Sequence, residues 1–427
     1  MSQKKKLLVL LGAGSSVLDG QGMPSVAELD EKMQAWAADL ITGNPKTYTT
    51  DQVVNKPTAG KPNYYEMALK NRKAYYQDAP SFMEDVARPN YERVLGDLHS
   101  FLNGFLTKPM GDPILHWLQE NALQGLVDFS NGNAAYDVLW QIKALYAKLA
   151  CYMRQRSLDF EKGAATSPLF VPYTTLLHGL QEHFEVGVYT LNYDTLALTA
   201  SPDFFTGFDT STDQGRFLPG TVHQRRDWNF IYHLHGSVHH SFVPTNQRPE
   251  GEMTRSRMVW QRDLSGHFVE DGGDLRPATE HRRMVPSTLI AGGWKLDQIQ
   301  EDPFQTFYSA FPRHAHEAQA ILIGGYGFGD AHINSVLQAM LRAAKTDRDQ
   351  PLPVLVLGKG EKPGKLSGTL LAPNSPGFKK MGFHDPQFEV ATNSSTPVAV
   401  WLGGFNQAST RLAEIIQWLD GNPAPFL

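Results

Sequence analysis

The chain has 427 residues, of which 41% are hydrophobic and 19% charged, with a formal net charge of −5 and one cysteine, Cys151. That length exceeds one ordinary core and suits one enlarged α/β domain or a domain with a long insertion. The charge balance gives no broad nucleic-acid face, the lone cysteine excludes an internal disulfide and a cysteine-based zinc site, and no apolar run reaches the ~18 residues of a membrane span.

Lys4 to Leu11 joins a charged start to a short apolar run, but no small-residue cleavage site follows, so no signal peptide is expected and the expected location is cytoplasmic. Leu7–Leu11 reads as a strand buried on both faces, closed by the glycine turn Gly12-Ala13-Gly14-Ser15. A helix is expected from Ser25, with Glu28 completing a capping pair. Residues 43–62 are polar and rich in Pro, Gly and Thr, as in a loop. From about 63 to 160 the pattern is helical, carried by Val94, Leu95, Leu98, Phe101 and Leu102 and then by Val138, Ile142, Leu145 and Leu149.

Strands resume at Val186–Thr190 and Phe230–Leu234, the first preceded by a helix over 174–183. Residues 241–285 read as irregular. A helix opens at Pro303-Phe304 with Asp302 as its N-cap. Strands are expected at Ala320–Ile323, Leu352–Leu357 and Val398–Leu402, with helices at Ile333–Ala343 and Ser409–Leu419. The alternation predicts a Rossmann-like, doubly wound, mostly parallel α/β sheet. It is interrupted by a helical insertion over 43–165 and an irregular one over 241–300, and residues 345–427 complete the sheet or form an interface.

Four motifs stand at predicted strand ends, where an open α/β sheet places its ligand chemistry. Gly12-Ala13-Gly14 lets the backbone approach a diphosphate, with following amides and a helix dipole aimed at the anion. Val17 replaces the third glycine of a dehydrogenase fingerprint, and Asp30 sits in helical pattern, so a dehydrogenase fits poorly. Asn192 and Asp194 can hold a water, a ribose hydroxyl or a cationic group, and equally can cap local amides. His235 can act as a general base near neutral pH. His233, His239, His240 and His223 lie nearby, yet no carboxylate falls at ligand spacing, and no metal is expected. Gly324-Gly325-Tyr326-Gly327-Phe328-Gly329-Asp330 brings backbone close to a ligand, with Asp330 read as a helix cap.

Together these motifs resemble the bacterial sirtuin-like branch of the sirtuin superfamily. Gly12-Ala13-Gly14-Ser15 is similar to its opening, Thr190-Leu191-Asn192-Tyr193-Asp194 to its Asn-Tyr-Asp segment, Leu234-His235-Gly236-Ser237 to its His-Gly segment, and Ile323 to Asn334 to its late glycine–aspartate motif. The resemblance implies NAD+ as substrate, His235 as catalytic base and Asn192 positioning water or ribose. It further implies Asp194 on the nicotinamide side, and Gly12, Ala13, Gly14, Ser15, Gly325, Tyr326 and Gly327 around the phosphates and adenosine. It departs from the deacylases in lacking their four-cysteine zinc module. It implies an NAD+ glycohydrolase of anti-phage defence, a homo-oligomer, with a HerA-type ATPase or another phage sensor as possible partner. An ADP-ribosyl transferase or cyclase and a non-catalytic NAD or ADP-ribose binding subunit are the alternatives.

Overall fold

The computed structural model describes residues 4–18, 22–42, 62–78, 89–106, 132–164, 167–243, 257–270, 272, 275–277, 283–292, 295–346, 351–358, 388–393 and 396–422. These form two compact units. One comprises residues 1–25, 155–237 and 302–427, the other residues 26–154 and 238–301.

The first unit is built on a seven-stranded sheet. Its strands are β1 (Lys5–Leu11), β2 (Phe184–Thr190), β3 (Asn229–His233), β4 (Ala320–Gly324), β5 (Val354–Leu357), β6 (Phe388–Asn393) and β7 (Thr396–Trp401). The order is β3-β2-β1-β4-β5-β7-β6. Every pairing is parallel except the edge hairpin β6–β7. This is the doubly wound Rossmann order, whose connections reverse direction between β1 and β4. Successive side chains of a strand face opposite sides, and Leu7 to Leu11 are all 0% exposed, so both faces of the sheet are covered at its centre. Around the sheet, the helix 170–183 packs on 412–419 and on β2, and the helix 304–317 packs on 331–346, β1 and β3.

The second unit holds three long helices, α1 (Val26–Thr42), α2 (Tyr64–Asp78) and α3 (Tyr91–Leu106), packed on one another, and most of α4 (Gly132–Ala164). The insertion between β1 and β2 thus carries helices and, among the described residues, no strand. Asp30 lies on α1 and accepts the Tyr91 amide, and burial raises its pKa. The segment 238–301 is fastened to these helices by buried polar groups. Arg154 donates to the carbonyls of Val238, Leu264, Asp263 and Gly266, and the Tyr146 hydroxyl donates to Ala291 O at 2.6 Å.

Several elements differ from the sequence reading. Residues 241–285 are not wholly irregular, because His240–Phe242 and Met258–Gln261 pair as an antiparallel ladder and Arg276–Pro277 pairs with Arg283–Met284. Their shortness hides the two-residue alternation that announces a strand. The edge strand β6 was not expected. The helix over 304–317 has Pro303 at its N-cap, one residue later than expected, while Asp302 Oδ1 still accepts the Thr306 amide at 3.3 Å. The last helix runs Leu412–Leu419, after a 3-10 stretch over Phe405–Arg411. No helix among the described residues is long and apolar enough to cross a membrane.

Candidate active site

Strand register aligns the ends of six strands. Leu11 pairs with Thr190 and Thr190 with His233, while on the other side Leu11 pairs with Gly324, Gly324 with Leu357, and Leu357 with Trp401. Residues two positions beyond this row therefore emerge along one carboxyl edge. They are Ala13, Asn192, His235, Tyr326 and Gly403. Parallel topology thus brings together motifs more than 300 positions apart in the chain.

At the switch point the first and fourth loops interlock. The amides of Gly12 and Gly14 donate to the carbonyls of Gly324 and Gly325, both at 2.9 Å, and those of Ser15 and Ser16 donate to Gly12 O and Ala13 O. These four amides close the loop instead of pointing at an anion. Nor does a long helix follow the loop. Among the described residues the 3-10 turn Ala13–Ser15 follows it and the next long helix opens at Val26, so the expected helix dipole does not start at this loop. The glycines are required by the loop contact itself, since a Cβ on Gly12 would lie 2.7 Å from Tyr326 Cα and one on Gly325 (φ +62°) would lie 2.0 Å from Ser15 N. Gly327 differs, because a Cβ there meets nothing within 4 Å.

Beside this lock lies a cavity of about 260 Å³, lined by Gly14, Gly325, Tyr326 and Gly327 and by Gly358, Gly403, Gly404, Phe405, Asn406 and Gln407. The last six were missed in the sequence. The Gly403-Gly404 pair after the final strand was the available signal. Asn406 Oδ1 is buried and has no hydrogen-bond partner among the described residues.

Asn192 is 7% exposed, and its Nδ2 donates to Ser15 Oγ at 3.1 Å and Ser16 Oγ at 2.8 Å. Its Oδ1 is buried and has no partner among the described residues. A buried acceptor in that state costs stability unless a water or ligand satisfies it. The Asn192 carbonyl accepts from His233 Nδ1 at 3.2 Å, and burial drives the His233 pKa down to about 4, so that ring is neutral near pH 7. Asp194 is engaged within the protein. Its Oδ1 accepts the Leu196 amide at 3.0 Å, opening the short helix Leu196–Ala200, and the Ser16 hydroxyl bonds to it. Burial raises the Asp194 pKa, opposed by those hydrogen bonds.

His235 is 3% exposed and follows β3 by two residues, ahead of Gly236 at φ 93°. Its Nε2 lies 3.8 Å from Asp330 Oδ2, and its ring centroid 6.3 Å from that of His332. Asp330 does precede the helix Ala331–Thr346, yet its carboxylate faces His235. A carboxylate therefore stands beside the histidine, which sequence spacing could not show. Asn334, four residues on, donates to Phe328 O at 2.9 Å and accepts from the Tyr326 hydroxyl at 3.0 Å, holding the glycine loop in shape.

Residues 186–370 match the model of a SIR2-like domain. The match begins inside β2 and takes in Asn192, Asp194, His235 and the loop through Asp330, and it covers under half of the chain. No curated protein matches the chain. A solved structure, a mutant of Sir2 homologues in complex with 2'-O-acetyl ADP ribose, is similar at 12% identity over 97% of this chain and 92% of that one, with a TM-score of 0.33.

Proposed function

We propose that this chain is an NAD+ glycohydrolase, cleaving NAD+ to nicotinamide and ADP-ribose. The observation that carries the reading is the buried Asn192 Oδ1, without a partner among the described residues, on the same sheet edge as His235 and the glycine-lined cavity. From β4 to β3 the edge spans three strand spacings, about 14 Å at ~4.7–4.9 Å each. An extended dinucleotide has that reach. The SIR2-like match over the same residues supports a nicotinamide dinucleotide as substrate.

The reaction breaks the bond between the ribose anomeric carbon and the pyridinium nitrogen. The bonding electron pair stays with the nitrogen, which leaves as neutral nicotinamide, so no strong acid is needed. The remaining centre is oxocarbenium-like, as in glycoside hydrolysis. Asn192 Oδ1 accepts a hydrogen bond from the attacking water or a ribose hydroxyl. His235 takes the proton that the water loses on forming the new C–O bond, and Asp330 stands beside the ring as its charge rises. The cavity at Gly325–Gly327 takes the adenosine end.

The defence role, the homo-oligomer and a HerA-type ATPase or other sensor as partner belong to the same proposal and rest on the resemblance of the motifs. Mass analysis of the products after incubation with NAD+ tests the chemistry. Nicotinamide with free ADP-ribose is expected. Cyclic ADP-ribose or ADP-ribosylated protein as the main product would replace hydrolysis by cyclisation or transfer.

A further inference from the structure

His235, Asp330 and His332 come from two places in the chain, the end of β3 and the entry to the helix over 331–346. One ring nitrogen of each histidine and one carboxylate oxygen all lie within 4.8 Å of one another. For His235 Nε2 and Asp330 Oδ2 the distance is 3.8 Å. Tetrahedral zinc at ~2.0–2.2 Å from its nitrogen and oxygen ligands sets neighbouring donors about 3.4 Å apart, so this pair has only about 0.4 Å to close. Two imidazoles and one carboxylate make a three-ligand set that leaves a fourth position open. Imidazole selects zinc, copper and nickel over magnesium and calcium.

The surroundings suit the same role. The Tyr308 hydroxyl lies 2.9 Å from His332 Nε2 and fixes the orientation of that ring. His235 is buried, while Asp330 and His332 are half-buried, which gives an ion a path from solvent. Asp330 supplies negative charge at a helix start that would otherwise oppose a cation.

We propose that His235, Asp330 and His332 form a binding site for a divalent cation of the zinc class. A cation there takes the His235 lone pair and so removes the base. That consequence rests on the proposed reaction, whereas the binding does not.

The test uses Co2+ as a spectroscopic probe on the full chain. Titration is expected to give a visible d–d band that saturates at one equivalent and disappears when Zn2+ is added. His332→Gln and Asp330→Asn are each expected to weaken Co2+ binding by about tenfold or more, with the thermal midpoint held. No d–d band, or a band of the same affinity in both variants, would overturn the site. Because the readout is the metal spectrum, a chain that leaves NAD+ intact still tests it.

Discussion

Asn192 Nδ2 donates to Ser16 Oγ at 2.8 Å, joining the end of β2 to the glycine loop across 176 positions of chain. The bond fixes the amide plane, and with it the direction of the Oδ1, which has no partner among the described residues. Asn192→Ala removes the acceptor and takes one donor from each of two buried hydroxyls, which keep their bonds to Gly12 O and Asp194, at a cost of about 1–3 kcal/mol. A lower thermal midpoint is expected, together with a fall in NAD+ turnover far larger than in Ser16→Ala. Equal turnover losses in the two variants would assign Asn192 a purely structural role.

Two glycines in one loop are expected to respond oppositely. Gly325→Ala puts a methyl 2.0 Å from Ser15 N at a left-handed φ, so the lock between the first and fourth loops must open. Stability is expected to fall by a few kcal/mol. Gly327→Ala meets nothing within 4 Å, so the fold is expected to hold while nucleotide affinity drops, because Gly327 lines the cavity. Thermal melting with and without NAD+ reads both. Retained ligand stabilisation in Gly327→Ala would move the adenosine end elsewhere.

Acid is expected to destabilise the fold between about pH 6.5 and 4. Burial lowers the pKa of His233 to about 4, of His99 to about 4 and of His314 to about 3, against 6.5 unfolded. In that window the unfolded chain binds protons that the folded chain refuses, so stability is complete above pH 6.5 and declines below it. For His233 alone the full loss is roughly 3 kcal/mol. Melting curves at pH 7.5 and 5.0 test this, and equal midpoints would contradict the burial of these rings.

Arg154 is expected to matter to the second unit in proportion to the four carbonyls it bonds among the described residues. Arg154→Met keeps much of the volume and removes every donor, leaving buried carbonyls unpaired, with an expected cost of about 3 kcal/mol or more. Urea unfolding measures it. A change below about 0.5 kcal/mol, the size usual for a surface substitution, would mean that the segment 238–301 is held by other contacts.

The sheet was legible because its central strands are continuous apolar runs ended by glycine, and alternation with helices sets parallel topology. Leu7–Leu11 and Ala320–Gly324 are the plainest cases. Placing Asn192 and His235 at strand ends followed from the same reading. What stayed hidden depends on tertiary contact. Asp330 looks like a cap locally, and only the β1–β4 switch point and the β3 register turn its carboxylate toward His235. The glycine loop read as an anion cradle because Gly-x-Gly after a strand does not reveal that its amides bond a second glycine loop. The strand β6 escaped notice because an edge strand has only one neighbour to shape its pattern.

The central claim is that His235 and Asn192 act on one NAD+ molecule at the carboxyl edge of the sheet. Nicotinamide release by the parent chain and by His235→Ala, each verified as folded by thermal melting, tests it most directly across a range of protein concentrations. The predicted result is release by the parent and a fall of about 100-fold or more in the variant. Equal rates in the two folded proteins, or no nicotinamide from the parent at any concentration, would contradict it.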